Sequence, residues 1–168
     1  MINFEGLSEG YARGVRIVVK ALSVVTNAGI MTMMLITVAD ILLRLIGHPI
    51  IGAYDLVRIA GAVSMACALP YVTAVKGHVA IEYFFQKMHL KGRNLVDRVL
   101  NIVGTTLFIL MAVEAFNAGT RMKIRGEVTA TLQLPFFWVL WLIGICCFVV
   151  ALVIFYNLMQ PRKELMKP

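Results

Sequence analysis

The chain has 168 residues, of which 60% are hydrophobic and only 15% charged, whereas a soluble domain of this size is nearer about 45–50% apolar and about 25% charged. A globule this small must wet most of its surface, so the composition excludes a soluble enzyme domain, and equally a disordered chain. The formal net charge is +7, but the basic residues stand between apolar runs and do not interleave on one face, which argues against nucleic acid as a partner and for a role in membrane orientation.

The residues before Ala21 contain no apolar core of the signal-peptide kind, and the first apolar run is long for one, so it is expected to be retained. That run, Ala21 to Ala39, resumes at Ile41–Leu43 after Asp40. Ile59 to Val75 is the second run, Val99 to Val113 the third, and the uncharged stretch Val128 to Pro161 holds the fourth, with Pro135 in a loop leading into it. Each meets or approaches the roughly 20 residues that a helix needs to cross the hydrocarbon core. The expected fold is an all-α membrane protein, a single four-helix transmembrane domain over 1–168 with helices at about 21–45, 55–76, 96–119 and 136–159.

Lysine and arginine divide unequally between the two sides. Arg13, Arg16, Lys20, the segment between helices 2 and 3 and the C-terminal tail carry eleven, against five at Arg44, Arg58, Arg121, Lys123 and Arg125. The positive-inside rule then places both termini in the cytoplasm, with Trp138 and Trp141 near the outer interface. Two stretches on the basic side are amphipathic: Tyr11, Val15, Val18, Val19 and Leu22 near the N-terminus, and Ile81, Phe84, Phe85 and Met88 between helices 2 and 3. Two readings stand for both, an interfacial helix drawn to anionic phospholipid or a helix extension packed on the protein itself. No internal repeat of the kind that marks a self-contained secondary transporter is visible.

Charges inside or beside the spans suggest pairs. Asp40 and Arg44 are four apart on one helical face, and Asp55 and Arg58, three apart, open helix 2. Each spacing reads as a structural ion pair rather than a proton or ion relay, because a relay wants a carboxylate near mid-bilayer. Ala60, Ser64 and Ala68 form a small-xxx-small stripe that lets another helix approach closely, within this bundle or from another subunit. His78 and Glu82, also four apart, read as a hydrogen-bonded turn, since a metal site needs three or four ligands. Cys67, Cys146 and Cys147 lie in apolar runs without C-x-x-C spacing and read as small packing residues. Ser23 and Ser64 have no neighbouring base, so nucleophilic catalysis has no support.

Three segments resemble the small membrane subunits of tripartite ATP-independent periplasmic (TRAP) transporters, the DctQ-like family. RLIGHPIIGAYDLVR resembles the family's first connection, with Arg44, Pro49, Gly52 and Asp55 at the matching places. KGHVAIEYF resembles its Gly-His-x-x-x-acidic stretch through Gly77, His78 and Glu82, although the family's acid there is often Asp. TLQLP followed by FFW resembles its lead-in to helix 4, through Pro135 and Trp138. The resemblance covers nearly the whole chain, and the order and spacing of the segments carry it. It implies a non-enzymatic scaffold subunit in a multi-pass bacterial inner-membrane complex that transports a small organic anion by sodium symport. The implied partners are a large membrane subunit of the elevator type, a periplasmic substrate-binding protein and membrane phospholipids; no cofactor is implied, and the sodium ions belong to the large subunit. The alternative is a self-sufficient four-helix secondary carrier acting as a homodimer, for which Glu114 is the nearest candidate ionisable residue. A disulfide-forming redox enzyme would need cysteine pairs in its outer loops, and these loops contain none.

Overall fold

The structure, a computed structural model, describes residues 4–75 and 90–159, with side chains described for 13–75, 96 and 98–155. The described residues form four helices: α1 (Phe4–Leu45), α2 (Ala53–Ala74), α3 (Leu90–Arg125) and α4 (Phe137–Met159). All four contain stretches long and apolar enough to cross a membrane. The amphipathic N-terminal stretch is not a separate helix. It continues into the first span, and Val15 and Val19 are buried in a cluster with Ala74, Val149 and Val153. Packing on the protein therefore takes that face, while Val18 stays exposed. The second amphipathic stretch, Ile81 to Met88, lies outside the described residues, as do His78 and Glu82.

The order of packing is α1, α2, α4, α3, an open row in which α1 and α3 form the flanks. α4 is the shared wall. Half of its most apolar window is buried, against 6% for the windows in α1 and α3. It carries no charge between Phe137 and Met159, so it tolerates burial on several sides without desolvating an ion. Its Cys146 lies against Cys67 of α2, with the sulfurs 3.9 Å apart in an apolar cluster that also includes Ala66.

α1 meets α2 along a single narrow seam. Val15, Val19, Leu22, Thr26, Gly29, Met33, Ile36 and Asp40, alternately four and three residues apart, are buried or half-buried, with Ser23 and Ala39 half-buried beside them. That 3.5-residue period is the geometry of helices packed at a shallow left-handed angle. The small stripe of α2 faces this seam. A Cβ on Gly29 would collide with Ser64 Oγ and stand 3.4 Å from the Ala60 carbonyl oxygen. Thr26 Oγ1 donates to the Leu22 carbonyl of its own helix (3.0 Å) and also lies 3.3 Å from the Ser64 carbonyl. Ala60 and Ser64 thus serve packing within this chain, and Ala68 further along is half-buried. α3 approaches α4 by the same device, with Gly119 against Trp141 and Gly144 against Phe116.

α1 and α3 end alike, at the same end of the row. His48 N–H reaches back to the Leu43 carbonyl and Gly47 N–H to Arg44, while Glu127 N–H reaches Met122 and Gly126 N–H reaches Lys123. With Gly47 at φ +84° and Gly126 at +65°, both are left-handed Schellman ends, which free the chain to turn.

Candidate functional site: a polar clamp between two connections

Asp40, Arg44, Asp55 and Arg58 gather where α1 turns into α2 and α3 turns into α4. The first turn, 46–52, is held from inside α1. Asp40 is buried; its Oδ2 accepts from Arg44 Nε and Nη2, both at 2.8 Å, and its Oδ1 accepts from the Ile50 N–H at 3.0 Å. One carboxylate therefore both neutralises Arg44 and caps an otherwise unpaired amide of the turn.

Gly52 caps α2 at φ +83° with no side chain to offer its first amides. A Cβ there would stand 2.6 Å from Cδ2 and 2.9 Å from Cδ1 of Leu132, so the second connection rests directly on this glycine.

Asp55 makes that contact specific. It is almost completely buried, at 1% exposure, and its Oδ2 accepts from the backbone N–H of Thr131 and of Leu132, both at 2.9 Å. The Asp55–Arg58 ion pair expected from spacing is not formed among the described residues. Two backbone amides from 76 and 77 residues away occupy the carboxylate instead, and the Arg58 guanidinium lies over the Phe136 ring, 5.1 Å from its centroid. The physical reason is desolvation. A buried carboxylate gains from fixed amide donors that are already desolvated, whereas Arg58 keeps its charge at the exposed surface.

The second connection is folded to present those amides. Thr129 N–H donates to the Leu134 carbonyl (2.9 Å), Leu134 N–H to Thr129 Oγ1 (3.1 Å), and Gln133 N–H to the Thr129 carbonyl (3.2 Å). Gln133 takes a positive φ of 51° to close the loop, and Val128 pairs with the exposed Pro135. Trp138 is 40% exposed in the first turn of α4. Next to it, Lys123 Nζ lies 5.6 Å from the Phe137 ring and 5.4 Å from that of Trp141. Thr129, Thr131, Leu132 and Phe136 were not singled out by sequence reasoning. Thr131, Leu132 and Phe136 lie in the TLQLP–FFW segment, but nothing in their spacing points to α2.

Among the described residues no three His, Cys, Asp or Glu side chains converge as a metal site would require. Asp40 accepts from an amide and from Arg44, and Asp55 from two amides of the other connection, so the arrangement fixes two connections to each other. Glu114 stands apart from it on α3, well exposed, with Arg121 Nη2 at 3.5 Å.

Searches of curated proteins and of solved structures gave no match. A model of the family described as "Tripartite ATP-independent periplasmic transporters, DctQ component" matches residues 33–164. That range takes in the last part of the seam, from Met33 to Asp40, both connections and all of α2, α3 and α4. The chain belongs to this family, the small membrane component of the tripartite transporters.

Proposed function

We propose that the chain is the small scaffold subunit of a sodium-coupled, binding-protein-dependent TRAP transporter for a small organic anion, a carboxylate or sulfonate, in the bacterial inner membrane. Membership of a transporter component family, in a system that also has a large membrane component and a periplasmic binding protein, gives the frame. The observation that carries the scaffold reading is the clamp. Asp55 ties the α1–α2 end of the row to the α3–α4 connection through two charge-assisted hydrogen bonds, which suits a wall that stays still while another subunit moves.

In this reading both termini face the cytoplasm and the clamped connections face the periplasm, in agreement with the count of basic residues. Substrate and sodium bind in the large elevator-type subunit, phospholipid covers the apolar flanks, and no cofactor is used here. The test is co-expression with the cognate large membrane subunit, purification through a tag on the small one, and uptake in proteoliposomes with the binding protein. A stoichiometric complex whose uptake follows an imposed sodium gradient is the expected result. Solute transport by the small chain reconstituted alone would overturn the proposal.

A further inference from the structure

The two flanking helices carry their charges at different heights, and contacts running across the row measure the offset. Thr26 of α1 is level with Ser64 of α2, its Oγ1 standing 3.3 Å from the Ser64 carbonyl oxygen. Three residues along α2, Cys67 is level with Cys146 of α4, their sulfurs 3.9 Å apart. Two residues back along α4, Gly144 lies against Phe116 and the Ala112 carbonyl of α3, which bracket Glu114. These steps nearly cancel, so Thr26, Ser64 and Glu114 share one level across the row. From that level toward the clamp, the first exposed cation on α1 is Arg44, 18 residues or about 27 Å away. On α3 it is Arg121, only seven residues or about 10 Å away. In the opposite direction Lys20 comes after six residues on α1, about 9 Å, and Arg98 after sixteen on α3, about 24 Å. Both marks on α1 are therefore displaced toward the clamp by about 16 Å relative to those on α3.

We infer that the hydrocarbon belt of this chain is oblique, so that in a bilayer the helices lean about 30° from the membrane normal in the plane of the row. Two independent measures give that angle. The row is three interaxial steps wide, about 27 Å at 8–10 Å each, and an offset of about 16 Å across it is a slope of about 30°. The distance between cations is 24 residues from Lys20 to Arg44 and 23 from Arg98 to Arg121, about 35 Å on each flank. A hydrocarbon core about 30 Å thick matches 35 Å of helix inclined by about 30°. Upright helices would draw Lys20 into hydrocarbon or leave Leu42, Leu45 and Ile46, all more than half exposed, standing in water. Polar groups inward of the slanted line have partners: Asp40 has Arg44, and Glu114 has Arg121. Arg58 falls about 7 Å inward of it, a distance its own side chain spans, and lies over Phe136. The exposed Asn27 sits at the common level itself and is within the belt whether the helices are upright or inclined. The slant fixes where hydrocarbon begins and ends along each helix, with lipid or with protein against the flanks. It rests on the four spans and not on the transporter reading.

The experiment uses the full chain in dioleoyl phosphatidylcholine bilayers. A nitroxide-bearing residue replaces Val24, Met31, Leu110 or Val113, one at a time, all apolar and more than half exposed. Its depth is read from relaxation by oxygen against relaxation by a water-soluble nickel complex. Val24 and Val113 are level in the molecule, beside Thr26 and Glu114, yet the slant places them about 13 Å apart in depth, with Val113 nearer the clamp-side surface. Met31 and Leu110 are about 15 Å apart along the helix axes, yet are expected at equal depth near mid-bilayer. Polarised infrared absorption of the unlabelled chain in oriented bilayers reads the mean helix inclination without any substitution, and is expected to give about 30°. Equal depth at Val24 and Val113, or a mean inclination below about 15°, overturns the inference and leaves the transporter reading standing. Failure to recover a large subunit would remove that reading and leave the slant in place.

Discussion

Asp40 stands five residues before the end of α1 and Asp55 in the first turn of α2, on either side of the same turn, 46–52. Both are buried carboxylates, and both accept backbone amides. Asp40 serves its own neighbourhood, holding Arg44 one helical turn away and Ile50 ten residues away. Asp55 ignores the nearby arginine and holds a connection 76 residues distant. Burial decides the difference: Asp55, at 1% exposure, takes two preformed amides and leaves Arg58 at the surface, whereas Asp40, at 8%, accepts from an amide and from the arginine beside it.

Removing Asp55 tests that contrast most severely. Asp55→Ala leaves the Thr131 and Leu132 amides without their acceptor and unties the second connection, so the thermal midpoint in detergent is expected to fall by roughly 5–10 °C. Limited trypsin digestion reports the local consequence, since cleavage after the exposed Arg125, at the mouth of this connection, accelerates. Asp40→Ala, which opens only the first turn, leaves that cleavage rate unchanged. Equal acceleration in the two variants would erase the distinction between a local and a long-range carboxylate.

Gly52→Ala attacks the same junction through shape. The alanine has to hold φ near +83°, at about 1–2 kcal/mol, and its Cβ displaces Leu132. Adding Leu132→Ala is expected to recover the steric part and leave the backbone part, which a double-mutant cycle of chemical denaturation midpoints separates. Complete recovery would place the whole cost in the contact and none in the left-handed cap.

These two variants also mark where the sequence stops being informative. The four spans were legible because uncharged runs of membrane length admit few other readings. The Asp40–Arg44 pair was legible because four residues on a helix bring two side chains onto one face. The small stripe on α2 was legible as a packing surface, but its partner was not, since Gly29 acquires meaning only once the seam of α1 has been laid against Ala60 and Ser64. Asp55 was misassigned for the same reason. Spacing offers Arg58 as a partner, while burial and the fold of residues 129–134 decide otherwise, and neither is local information. The helix bounds differed most at the N-terminus of α1, where an amphipathic stretch compatible with a membrane surface is an extension whose Val15 and Val19 find a protein surface instead.

A smaller effect is expected at Arg58. Freed from Asp55, its guanidinium rests on Phe136, an exposed cation–π contact of about 0.5–1 kcal/mol. Arg58→Ala should cost that much and Phe136→Leu about the same, with no further loss when the two are combined. An additive double variant would show that the stacking contributes nothing.

Arg44 is expected to matter least, and this too follows from the comparison. It donates to Asp40 at 2.8 Å, yet its side chain is 64% exposed, so water replaces much of what the pair gains. The carboxylate it leaves behind in Arg44→Ala still accepts the Ile50 amide, so the turn keeps its cap. The thermal midpoint should therefore move by less than about 2 °C, and raising the salt concentration should shrink the difference from the unaltered chain further, because screening weakens an exposed pair. If Arg44→Ala instead proved as damaging as Asp55→Ala, Asp40 would owe its burial to the arginine. The local carboxylate would then depend on a mobile cation after all, contrary to the preference for fixed donors seen at Asp55.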